Sequence, residues 1–238
     1  MARDRYVEAG GRVVFLVAAA CIAAMLLPAS AGAETRTFLN LTDLYPTEGA
    51  GTGGHSDPYP SRIAVSGLPG TVTKVMVTII GYASSSPDDT DMAIVGPNGQ
   101  AVMLMSDACG LNPSGATNDN WTFDDAAPAF LSDNGPCGNY QLASVKPTNY
   151  EDPQNDDLTP GGGPAGPYRN ALSVLAGGSP NGTWNLFVMD DNPGAYFGFD
   201  VGTWALNLEI QPTTKTARKC KKKRKAGAGA AKKCKRKR

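Results

Sequence analysis

From Thr71 to Ile80 the chain reads TVTKVMVTII. In an extended chain Val75, Val77 and Ile79 share one face, and Lys74 and Thr78 share the other. Alternation with period two among β-branched residues predicts a strand with one buried face. Two runs near the end of the chain repeat the pattern. In GTWNLFVMDD, Trp184, Leu186 and Val188 point one way; in GTWALNLEI, Trp204, Leu206, Leu208 and Ile210 do the same. Shorter strand candidates are TFLNLT from Thr37, RIAVS at 62–66, DMAIVG at 91–96, QAVMLMS at 100–106, NWTFDD at 120–125 and ALSVLAG at 171–177. The PNG between 91–96 and 100–106 predicts a hairpin turning at Asn98-Gly99. YPTEGAGTGGHSDPYP reads as a loop by its Gly and Pro content. Residues 135–166 read as a long irregular excursion, and NPGAYFGFDV as a loop between the last two strands. No long helical pattern interrupts the series. Eight or nine strands between mixed turns predict an all-β fold, a two-sheet antiparallel jelly-roll sandwich.

The two ends break this pattern in opposite ways. Arg3, Arg5 and Arg12 precede the apolar run VVFLVAAACIAAMLLP, which ends in ASAGA at Ala33. A basic start, a short apolar stretch and small residues at its end predict a secretory signal peptide over residues 1–33. A membrane anchor is the rival reading, but about 15 apolar residues fall short of the ~20 that a bilayer needs. No transmembrane segment is then expected after cleavage. Without a twin-Arg pair, the general export route is the expected one. Residues 34–211 form the predicted domain, long enough for one sizeable core. Residues 212–238 have no apolar face to bury and predict a disordered basic tail.

Charge changes the picture once it is counted by segment. The whole chain is neutral, yet residues 34–211 carry five basic and twenty acidic groups, a net of −15. The last 24 residues, KTARKCKKKRKAGAGAAKKCKRKR, carry +14. The cysteines divide likewise. Cys21 lies in the leader, Cys109 and Cys137 in the domain, and Cys220 and Cys234 in the tail. In an oxidising compartment Cys109 and Cys137 predict a disulfide. It would close a loop of about 27 residues and add about 3 kcal/mol on the chain-entropy model. Two free buried thiols are the alternative. The tail cysteines, set among lysines that favour thiolate, would pair with each other or link two chains.

Three stretches together resemble the P domain (P/Homo B domain) of proprotein convertases. They are SRIAVSGLPGTVTKVMVTIIG, DDTDMAIVGPNGQAVMLMSD and PNGTWNLFVMDDNPGAYFGFDVGTWALNLEI. The last is the most specific, and the resemblance runs from about Thr37 to Ile210. It implies a jelly-roll sandwich, an association with serine endopeptidases, and a partner that is a subtilisin-like protease. In that family the domain follows a catalytic domain and supports its folding and stability. Here no catalytic domain precedes the resembling segment, so a stand-alone domain is expected.

Candidate chemistry is sparse. A Ser-His-Asp triad needs a histidine base. The one histidine, His55, lies in TGGHSDPYP without a G-x-S-x-G motif, so it reads as a solvated loop residue and the chain as non-catalytic. The same count disfavours a His-based zinc site. Carboxylates are richer. Asp88, Asp89 and Asp91 form PDDTD before one hairpin strand, and Asp107 follows the other, so the four should meet at one sheet end. Such a group repels itself unless screened, and Ca²⁺ takes roughly six to eight oxygens in flexible geometry. Solvated turn aspartates are the plainer alternative. The pairs at 124–125 and 190–191 raise the same question more weakly. Trp121, Tyr140, Tyr150, Tyr168 and Tyr196 lie in or near loops and suggest either ordinary packing or a platform for glycans. Asn40, Asn120 and Asn181 head glycosylation sequons.

The tail limits the partners. Its basic residues Lys219, Lys221, Lys222, Lys223, Arg224, Lys225, Lys232, Lys233, Lys235, Arg236, Lys237 and Arg238 flank a flexible AGAGAA spacer. Nucleic acid is disfavoured, because the chain is expected to be exported and the tail has no aromatics for stacking. Anionic cell-envelope polymers fit better, at up to ~1 kcal/mol for each cation near the surface. A secreted protein held at the cell surface or cell wall is the expectation. The acidic domain itself is a competing partner for the tail.

Overall fold

The computed structural model describes residues 32–46, 54–110, 116–135, 137, 141–150, 156–192 and 199–213. Most of the expected signal peptide, up to residue 31, and the basic tail from residue 214 lie outside the described residues, as do Cys21, Cys220, Cys234, Tyr140 and Tyr196. The strands in chain order are β1 (Glu34–Asn40), β2 (Tyr45–Pro46), β3 (Ser56–Asp57), β4 (Ser61–Val65), β5 (Thr71–Ser84) and β6 (Thr90–Val95). They continue with β7 (Ala101–Ser106), β8 (Ala116–Phe123), β9 (Gln141–Val145), β10 (Thr148–Asn149), β11 (Gly182–Asp190) and β12 (Phe199–Gln211). One five-stranded sheet runs β1-β12-β5-β8-β9 and another runs β10-β7-β6-β11-β4; β2 and β3 form a small third sheet. The fold is the all-β sandwich that the alternation predicts.

Its core is built from the inward positions of the two central strand pairs. In the first sheet Val75, Val77 and Ile79 stand opposite Leu208, Leu206 and Trp204. In the second, Trp184 pairs with Ile63, Leu186 with Ile94 and Val188 with Met92. All twelve are buried in one continuous apolar cluster. Val72 joins them although its parity differs from that of Val75, because a β-bulge opposite Glu209/Ile210 shifts the register. The hairpin from β6 to β7 forms, with its turn centred one residue earlier than predicted, on Pro97-Asn98. Its loop is closed by the Gly99 N–H donating to the Gly96 carbonyl at 2.9 Å, with Pro97 at the second turn position and Gly99 at φ +76°.

Three expectations need correction. ALSVLAG is not a strand. Leu172–Leu175 form a 3₁₀ turn that buries Leu172 and Leu175. At three residues per turn these two share a face, and the Asp125 carboxylate accepts from the N–H groups of Leu172 and Ser173 at 2.8 Å each. The sandwich is not wholly antiparallel, because β9 pairs with β8, and β10 with β7, in parallel. The excursion over 135–166 is also more ordered than its composition suggests. It supplies β9 and β10, and then residues 156–169 cover the outer face of the second sheet. There Leu158 packs with Ala93, Met103 and Phe187 in a second, smaller apolar cluster. The Tyr59 hydroxyl donates to the Leu158 carbonyl, and the Tyr168 hydroxyl accepts from the Leu158 N–H at 3.1 Å.

Cys109 and Cys137 form a disulfide inside the core, with Cα atoms 5.1 Å apart. The three sequon asparagines serve the fold. Asn40 donates to Ser61 Oγ and the Arg62 carbonyl, Asn120 accepts from the Gly81 N–H, and Asn181 exchanges two hydrogen bonds with the Leu68 backbone.

Candidate functional site

The sheet topology gathers carboxylates where β6, β7, β10 and β11 meet. The chain enters β6 through a 3₁₀ turn, Pro87–Asp89, on which Asp88 is half-buried. Asp89 is buried and its carboxylate is engaged, accepting from Ser86 Oγ and from the Asn192 amide at 3.2 Å. Its carbonyl accepts from the Asp191 N–H at 3.0 Å. Asp91 lies within β6, opposite Met189 of β11, and is 1% exposed. Its Oδ2 is buried without a hydrogen-bond partner.

Ser106, the last residue of β7, stands at the centre of the group. Its hydroxyl lies 3.1 Å from Asp107 Oδ2 and 3.0 Å from Asp156 Oδ1, and it also faces the Asp91 carboxyl. A hydroxyl has one hydrogen, so it can donate to only one of three carboxylates at a time. Asn149 of β10, opposite Ser106, donates to Asp156 Oδ2 at 2.6 Å, while its own amide oxygen is buried without a partner.

The electrostatics follow from this crowding. Burial pushes the Asp91 carboxyl well above its ordinary range; Ser106 opposes the shift, and Asp191, Asp156 and Asp107 add to it. Asp191 is pushed up to about 7 by desolvation and then by Asp107, Asp89 and Asp190. Asp190 rises to about 6, chiefly by burial, with the Asn192 N–H opposing. Among the described residues the ion pairs are Arg36–Glu34 and Lys74–Asp124, and neither reaches this group.

The structure places Asp89, Asp91 and Asp107 at one end of the second sheet, and Asp88, the fourth residue of that expectation, half-buried on the turn that leads into β6. Asp156, Asn149 and Ser106 were missed. Asp156 arrives from the covering segment, two residues before Leu158, whose backbone bonds to Tyr59 and Tyr168. Among the described residues no three His, Cys, Asp or Glu side chains gather at metal-binding spacing.

Other candidates have structural partners. His55 is half-buried rather than solvated, stacked on Tyr59 at 4.9 Å and bridged to Met189. Trp121 is fully buried, Tyr150 donates to the Leu131 carbonyl at 2.7 Å, and Tyr168 holds the covering segment. An exposed aromatic occurs elsewhere. Phe130, with Lys146 5.3 Å above its ring, lines a groove of about 410 Å³ beside Tyr150 and Asn170.

Neither a protein-family model nor a curated protein matches this chain. Solved structures that match include the Aeromonas sobria serine protease in complex with the chaperone ORF2, at 13% identity and a TM-score of 0.33. The Aeromonas sobria serine protease also matches, at 12% identity and a TM-score of 0.30. Each match covers 74% of this chain and 27% of the other. A likeness of this size defines neither fold nor function.

Proposed function

We propose that this chain is an exported, non-catalytic β-sandwich that acts as a binding or accessory module and is held at the cell envelope by its basic tail. The observation that carries this reading is the segregation of charge. A domain of −15 is followed by a tail of +14, with no acidic residue among the last 24. Such a tail binds an anionic polymer through many weak, salt-sensitive contacts. The test is binding of the purified protein to isolated cell walls across a salt series. Full-length protein should bind at low salt and elute at high salt, and a chain ending at Gln211 should not bind. Equal binding of the two forms contradicts the proposal.

An accessory role toward a separate subtilisin-like protease is the second reading. The three segments resembling the convertase P domain contribute β4 to β7, β11 and β12, strands of both sheets. Leu39 of the edge strand β1 is 58% exposed, Leu41 just after it 74%, and Tyr45 of β2 54%. Exposed apolar side chains on an unpaired strand edge suit docking to another chain. Slower thermal inactivation of such a protease when this chain is added, lost in Leu41→Glu, supports the reading; an unchanged rate refutes it.

A further inference from the structure

Among the described residues no ion pair answers the buried Asp91 carboxylate. Asp91 is 1% exposed, and its Oδ2 has no hydrogen-bond partner. A buried carboxylate oxygen without a partner is costly, and the cost is removed by a proton or by a bound cation. Two further observations favour a cation. The Ser106 hydroxyl stands among Asp91, Asp107 and Asp156 with a single hydrogen to give. The Asn149 amide commits its nitrogen to Asp156 and leaves its oxygen buried and unpartnered. An ion that takes carboxylate and amide oxygens together would satisfy both.

We infer that Asp91, Asp156, the Asn149 amide oxygen and the Ser106 hydroxyl bind a calcium ion where β6, β7 and β10 meet. Asp107 and Asp191 add negative charge around it. Calcium suits this set because it takes hard oxygen ligands in irregular geometry and fills the remaining positions with water. The set has two carboxylates at its centre, in keeping with the absence, among the described residues, of three acidic or His/Cys side chains at metal spacing. All four ligands lie within the sandwich strands and the segment that covers them.

The experiment is calorimetric titration of CaCl₂ into the full chain after chelator treatment, paired with thermal melts. About one equivalent should bind, and the melting temperature should rise by mass action. Asp91→Asn and Asn149→Ala should each weaken calcium binding by about tenfold or more. The Asp91→Asn protein should melt, metal-free, no lower than the metal-free parent, because it removes a carboxyl whose charged form burial disfavours. If Asp91→Asn does not fold, Asn149→Ala carries the test. Asp200→Asn, an exposed residue of the other sheet, should bind as the parent does. No heat of binding with superimposed melts would overturn the site. So would unchanged affinity in both site variants, or an equal loss in Asp200→Asn.

Discussion

The indole N–H of Trp204 donates to the Ser61 hydroxyl at 2.9 Å, joining β12 of one sheet to β4 of the other across the core. Both residues are fully buried, and the Asn40 amide donates to the same oxygen at 3.0 Å. Ser61→Ala would leave a buried indole N–H with no acceptor, which costs roughly 1–3 kcal/mol. Urea denaturation should show a lower midpoint with an unchanged slope. An unchanged midpoint would mean that the sheets do not depend on this link.

The Cys109–Cys137 disulfide spans 28 residues within the core. Replacing both cysteines by alanine should lower stability by about 3 kcal/mol, the loop-closure estimate for this length, plus a smaller loss of packing. Mass spectrometry under non-reducing conditions should find no free thiol at either position in the parent.

Gly163 lies against the covering segment's own anchor. A Cβ there would collide with the Leu158 carbonyl and the Tyr59 hydroxyl. Gly163→Ala should break the Tyr59–Leu158 hydrogen bond and destabilise the protein by ~1–3 kcal/mol through overpacking. Amide exchange should speed up at Met103, whose N–H donates to the Arg169 carbonyl at 2.9 Å. Unchanged exchange at Met103 would show that the segment is anchored elsewhere.

Stability in the absence of divalent cations should fall as pH rises from about 4 to about 7. Asp190 and Asp191 have folded values of about 6 and about 7, and Asp91 is raised in the same direction. Their unfolded values are near ~4. The folded state therefore holds more protons across that window, so its advantage is complete below ~4 and is lost as pH passes the folded values. The charges facing these groups are Asp89, Asp107 and Asp156, with the phenols of Tyr59 and Tyr168 beside Asp91. Chemical denaturation in chelator at several pH values reads the slope. Stability that rises over the window contradicts the assignment.

The sandwich was legible wherever a strand alternates against one buried face. β5, β11 and β12 have that form, and Trp184, Trp204, Leu206 and Ile79 lie where period two puts them. The hairpin was legible from Asn98-Gly99, with its turn one residue earlier. What escaped was structure set by distant partners. β9 and β10 are short and pair in parallel with strands far along the chain, so no local pattern marks them. Leu172–Leu175 has strand-like composition, yet a carboxylate from Asp125 fixes it as a 3₁₀ turn. The acidic end was half legible for the same reason. Asp91 and Asp107 flank one hairpin, but Asp156 reaches them only through the tertiary packing of Leu158 and Tyr168.

The central claim, electrostatic retention at the envelope, is tested most directly by locating the protein in the producing cells. The full chain should stay with the cells at low salt, and a chain lacking residues 215–238 should appear in the medium. Equal retention of the truncated chain would contradict the account.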